Sequence, residues 1–291
     1  MYRYIHEPKS GLLAGILFGE KSALDDKMER DFRTVGLMHI VVLSGYNVSL
    51  VIQVFSKTLR FLPLAIRSAL SVLAIAAFAI LVGAGPTVIR ASIMAVFIVL
   101  AGFTHRRYHI TRALFIAGIC MVIWNPKILY FDISFQLSFL ATYGLIVFAP
   151  YFEKKFSFLP KSFAIRDSAI ATISAQIIVM PLIIYSIGEF SLISPVVNVL
   201  VLFAVPMAML FGFLTGVIGL ISGALATVLS VVASYLLAYQ LWIVSLFANI
   251  PFATIVFPKF HWLIMLFMYG LIAWWVINIQ KTQHISESAN V

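Results

Sequence analysis

The chain has 291 residues, 62% of them hydrophobic and only 11% charged, with a mean hydropathy of +1.05. So few charges cannot cover a soluble domain of this size, which excludes the ordinary globular classes. The net charge of +9 is no argument for nucleic acid by itself, because membrane proteins gather Lys and Arg in their cytoplasmic loops.

The first residues, MYRYIHEPKS, are polar, and the run that follows at 11–19 is too short to span a bilayer and lacks a cleavage signal. It is expected to dip into the membrane interface. Residues 20–35 then predict a short amphipathic helix. Ser22 and Asp25 stand at capping-box spacing, Leu24, Met28 and Phe32 repeat every fourth residue, and the opposite face is charged. Such a helix is expected to lie on the membrane surface, so residues 1–35 form an extracytoplasmic interfacial region.

Apolar runs of roughly 20 residues follow, which is the pattern of an all-α polytopic membrane protein rather than of a barrel. About nine transmembrane segments are read, at 37–56, 64–83, 87–104, 109–124, 132–150, 167–187, 192–221, 223–248 and 261–279. The 192–221 run is longer than one crossing, and Pro195 and Pro206 are expected to break it. The membrane domain thus covers 36–279, and a polar tail covers 280–291. Lys57, Arg60, Arg67, Arg106, Arg107, Arg112, Lys154, Lys155, Lys161 and Arg166 fall in alternate loops. The positive-inside rule makes those loops cytoplasmic, the N-terminus external and the tail internal.

The first segment contains the stretch VVLSGYNVSL, where Ser44, Gly45, Tyr46 and Asn47 interrupt hydrocarbon. Broken, hydrogen-bonding backbone at membrane depth survives only beside water or protein. SPVVN at 194–198 repeats the combination of a loosening residue and an Asn. On the topology above, His39, Arg90 (one turn after Pro86), Asp132, Gln136, Glu189 and Asn198 share one depth near the outer leaflet, with Ser44 and Asn47 deeper. Ionisable groups there are functional candidates by default. Arg90 has prospective anionic partners in Asp132 and Glu189, and a purely structural Arg90–Asp132 pair is the alternative. Ser44 and Gly45 serving only close helix packing is the alternative to a pathway.

The stretches GLMHIVVLSGYNVSLV, GAGPTVIRASIMA, FDISFQLSFLATYGL and SPVVNVLVLFAVPM, in this order and spacing, resemble the competence domain of the ComEC family over about residues 11–210. The family motifs fall on Leu43-Ser44-Gly45, on Arg90-Ala91 with Met94, on Phe135-Gln136-Leu137-Ser138, and on Ser194-Pro195 with Asn198. The resemblance implies a bacterial inner-membrane channel that admits single-stranded DNA during natural transformation. Where the family commonly has Leu-His after Leu-Ser-Gly, this chain has Tyr46 and Asn47, and Asn cannot take a proton near pH 7. The larger members' OB-like and metallo-β-lactamase-like domains have no counterpart in this sequence, nor does a His-x-His-x-Asp-His signature. No nuclease activity, metal or cofactor is therefore expected.

A strand passing through needs polar contacts for phosphates and aromatic faces for bases. Arg90, Asn47, Gln136 and Asn198 could supply the first, and Tyr46, Phe135 and Tyr143 the second. Ser138 and the helix-breaking Gly45, Pro86, Pro195 and Pro206 complete the candidate set. No phosphate loop ending in Gly-Lys-Ser/Thr occurs, so the chain is expected not to be an enzyme. Its expected partners are the lipid bilayer, an extracytoplasmic DNA receptor, a separate cytoplasmic helicase or ATPase, and a separate nuclease. The alternative function is a secondary transporter of a small anion, with Arg90 as clamp. An intramembrane enzyme built on Ser44 and His39 is disfavoured, since those residues stand about 140° apart on a helix.

Overall fold

The structure is a computed structural model that describes residues 3–20, 23–41, 48, 59–156, 165–258 and 260–288. Its helices, in chain order, are α1 (Lys9–Phe18), α2 (Asp26–Thr34), α3 (Met38–Val41), α4 (Leu64–Leu81), α5 (Pro86–Phe103), α6 (Ile110–Trp124), α7 (Ile128–Phe131), α8 (Ile133–Lys155), α9 (Ile165–Ser186), α10 (Ser194–Leu202), α11 (Val205–Ile218), α12 (Gly223–Ala248) and α13 (Trp262–Ser288). Two short strands, β1 (Glu189–Ser191) and β2 (Thr254–Val256), pair antiparallel with Glu189 opposite Val256 and Ser191 opposite Thr254.

Among the described residues, five helices (α4, α5, α8, α9 and α12) are long and apolar enough to cross a bilayer, and α10 with α11, bent by 43°, forms a broken span or a re-entrant loop. These match the predicted runs from 64 onward. The apolar helices α6 and Trp262–Asn278 of α13 are shorter than that, and most of the predicted 37–56 segment lies outside the described residues. The described residues are thus all-α, with five crossings by this measure, or six where the bent pair counts as one, against the nine or so that were read. The tail beyond 280 continues α13 as helix to Ser288 rather than leaving it.

Pro86, Pro195 and Pro206 act as helix starters, whereas Pro150 and Pro181 lie inside α8 and α9. Pro86 opens α5 behind the Gly85 cap, and Pro195 and Pro206 occupy the first turns of α10 and α11. An N–H is unpaired in the first turn anyway, so proline costs nothing there. The break in the 194–218 run consequently falls at 203–204, just ahead of Pro206.

The N-terminal region departs most from expectation. Helix α1 is enclosed by other helices. Leu12, Leu13 and Ile16 are fully buried, and they form one core with Val197 and Val201 of α10 and Leu237 of α12. The Leu24–Met28–Phe32 stripe of α2 is present as read, but it packs into that same core rather than onto lipid. Asp25 caps α2, its carboxylate accepting from the Lys27 amide at 2.7 Å, and Ser22 lies outside the described residues. Hydropathy alone does not separate a lipid-facing helix from one enclosed by other apolar helices.

Smaller cores join the remaining helices in pairs. Met94 of α5 packs with Ala113, Leu114 and Ala117 of α6. Phe148 and Phe152 of α8 pack with Ile170 and Ile178 of α9 and with Trp275 of α13. At the α8–α9 crossing, a Cβ on Gly144 would stand 2.5 Å from the Ser174 carbonyl oxygen. Only glycine allows that approach.

Candidate functional site

The polar residues singled out in the sequence do not form one ring. They divide into two junctions and a corner.

The first junction joins α3, α9, α10 and the small sheet. Gly36 turns the chain between α2 and α3 with φ +73°, and a Cβ there would lie 2.9 Å from Ser194 and 3.0 Å from Ser191. The position demands glycine twice over, by dihedral and by space. The turn presents His39, whose Nδ1 donates to the Gly36 carbonyl at 3.1 Å. The His39 ring, though surrounded by helices, keeps exposed surface and faces the Asn198 side chain.

Asn198 is buried, and its Nδ2 donates to Thr172 Oγ1 of α9. Thr172 in turn donates to the Ser168 carbonyl at 2.7 Å. With its proton committed there, Thr172 accepts from Asn198, which fixes the amide orientation. Oδ1 of Asn198 is the acceptor left toward the His39 ring. Around this pair, Gln176 donates to the Ser191 carbonyl, Ser191 Oγ to the Ala253 carbonyl, and Thr254 Oγ1 to the Thr34 carbonyl.

This junction is deeper than predicted. Asn198 is only about 6 Å into α10, but its partner Thr172 is about 21 Å along α9 from Ser186. Strand β1 runs back beside α9 before α10 begins, so α10 starts well below the end of the bundle. Glu189 stays at the start of β1, half-buried.

The second junction ties α5 to α8. Arg90 is buried, at 9% exposure, and its Nη1 donates to Thr142 Oγ1 with Met94 Sδ at 4.0 Å. Thr142 passes its own proton to the Ser138 carbonyl at 2.9 Å. The Arg-Ala-x-x-Met and Phe-Gln-Leu-Ser motifs therefore meet through a residue that neither contains.

The expected partnership of Arg90 with Asp132 or Glu189 is not made. Among the residues whose side chains are described, the one ion pair is Arg33–Glu29 on α2. Asp132 is occupied elsewhere, capping α8 by accepting from the Phe135 amide at 2.9 Å. Outside the helices, burial raises the Tyr108 phenol above its ordinary value, against the pull of the Arg90 charge.

The corner is the α7–α8 turn. There Gln136 Nε2 donates to the carbonyls of Leu129 and Tyr130, at 2.9 and 3.1 Å. Phe135 is buried, with its ring 4.4 Å from that of Phe139, so it presents no free face. Tyr143 is exposed. Ser44, Gly45, Tyr46 and Asn47 lie outside the described residues.

Thr142, Thr172 and Gln176 were not singled out in the sequence. A signal existed for the last two, since Thr172 and Gln176 stand four apart on one face of α9. Gln240 of α12 was also passed over. It is wholly buried, and neither atom of its amide has a partner.

A model of the competence protein family matches residues 16–282. ComE operon protein 3 of Bacillus subtilis (strain 168) is 25% identical over 211 residues, 72% of this chain and 26% of that protein. An uncharacterized protein of Aquifex aeolicus (strain VF5) is 37% identical over 138 residues, 47% of this chain and 33% of that protein. The chain therefore spans a third or less of these relatives. No solved structure matches it. With its fold of apolar helices and the match running over nearly its whole length, the chain belongs to the competence protein family.

Proposed function

We propose that this chain forms a conduit for single-stranded DNA in the bacterial cytoplasmic membrane during natural transformation. Family membership supports a role in DNA uptake. The observation that carries the conduit reading is a group among the buried polar atoms without partners: Arg90 Nε, Ser138 Oγ, Ser174 Oγ and the Gln240 amide. Unpaired polar groups in hydrocarbon cost several kcal/mol each unless water or a ligand reaches them. A polyanion passing through the bundle needs such a wet, hydrogen-bonding path.

The exposed cations Arg60, Arg106, Arg107, Arg112, Lys154 and Lys155 lie on the side read as cytoplasmic, with the N-terminus outside. That distribution favours a polyanion moving inward. On this reading a motor drives the strand, an external receptor delivers it and a nuclease makes it single.

The test is a transformation assay in a host that depends on this protein, with membrane levels of each variant measured alongside. Arg90→Gln and Asn198→Leu should each lower uptake by at least about tenfold, the factor that 1.4 kcal/mol supplies. Normal uptake by both at normal levels would remove the site from the pathway. A second reading, transport of a small anion, is favoured by the same lone guanidinium. Proton-dependent flux of a small anion in liposomes, with no DNA import, would select it.

A further inference from the structure

A fixed cation without a counter-ion requires an anion. We propose that the α5–α8 junction is an anion site, built to hold one phosphate-type oxyanion between Arg90 and Ser138. The guanidinium is nine-tenths buried, and no carboxylate among the residues whose side chains are described reaches it. Its Nη1 is spent on Thr142, but its Nε–H has no acceptor. Ser138 is 8% exposed, and its Oγ also lacks a partner.

The two residues are linked through Thr142. Thr142 takes the Arg90 hydrogen bond and gives its own to the Ser138 carbonyl, one turn back on α8. Thr142 therefore ties Arg90 to the turn of α8 that carries Ser138. A buried guanidinium edge and a hydroxyl, both with donors to spare and a full positive charge behind them, match two oxygens of a phosphate. Acceptor ligands such as water satisfy the hydrogen bonds but leave the charge, and burying an unpaired charge is the costlier term.

The chemistry is shared by two sources, a phosphodiester of a passing strand and free inorganic phosphate. Assignment to the strand rests on the conduit reading above, whereas the site itself does not.

The test uses the purified full chain in nanodiscs of phosphatidylcholine, a zwitterionic lipid without net charge. Thermal unfolding is followed while dimethyl phosphate or inorganic phosphate is titrated at fixed ionic strength. The wild type should gain a saturable rise in its unfolding midpoint. Arg90→Gln should abolish the rise, and Arg90→Lys, which keeps the charge but loses the Nε–H, should leave a weakened one. Ser138→Ala removes one oxygen atom and should lower affinity by about tenfold, as for one hydrogen bond to a charged group. That variant serves if Arg90→Gln fails to elute as a folded species. Thr227→Val, on an exposed hydroxyl of α12, should behave as wild type.

No saturable rise in the wild type, or a wild-type response from Ser138→Ala and Arg90→Lys alike, overturns the proposal. Competition by oligothymidylate assigns the site to strand phosphates. A phosphate response that oligothymidylate leaves unchanged keeps the anion site and removes the conduit reading at this point.

Discussion

The two junctions are built from similar residues but balanced differently. Around Asn198 every group is formally uncharged, and most of the donors and acceptors find each other: His39 with Gly36, Asn198 with Thr172, Thr172 with Ser168, Gln176 with Ser191. Around Arg90 the hydrogen bonds are fewer and a whole charge is left standing. Interhelical bonds between neutral groups in membranes contribute well under 2 kcal/mol each. An unneutralised charge costs more than such bonds return. The first junction is therefore mainly a clasp that fixes where α10 begins. The second is a site whose balance lies outside the chain.

Breaking the clasp at its tightest point should have the largest effect on stability. Gly36→Ala places a methyl 2.9 Å from Ser194 on a left-handed backbone, and should cost about 2–3 kcal/mol. Thermal unfolding in nanodiscs checks this, with Gly102→Ala, where a Cβ meets nothing, as the neutral comparison. Next is Asn198→Leu, which keeps volume but removes the bond to Thr172. It should cost about 1 kcal/mol, with a smaller fall in midpoint than Gly36→Ala.

The second junction should respond in the opposite way. Thr142→Val removes the tie to Arg90, and should lower stability by no more than about 1 kcal/mol while reducing uptake more than Asn198→Leu does. Equal losses of stability and uptake in these two variants would erase the contrast. The smallest effect is expected at the corner. Gln136→Ala frees two carbonyls at the exposed α7–α8 turn, where water replaces the amide, and should cost about 0.5 kcal/mol with uptake near wild type.

The long helices were legible because apolar length is a property of the local sequence. Helices α4, α5, α8, α9 and α12 begin and end within a few residues of the runs read from hydropathy. The break between α10 and α11 was legible from Pro206. What was not legible was which side of an apolar surface meets lipid. Helix α1 reads identically whether it faces hydrocarbon or Leu237, so its enclosure by other helices could not be read. The polar groups were recognised by type, but their partners were not. Arg90 stands 52 positions before Thr142, and a lone Thr in an apolar run carries almost no signal. Depth was misjudged at Asn198 because counting from the loop ignores that β1 turns back along α9.

The central claim is that the unpaired polar atoms border a water-accessible passage. Its most direct measurement is labelling of Ser138→Cys, in a Cys120→Ser background, by a charged, membrane-impermeant thiosulfonate on the folded chain in nanodiscs. The account predicts labelling that saturates and that single-stranded DNA slows. A thiol that stays unlabelled until the protein is denatured would show a dry junction, and the passage would not run past Arg90.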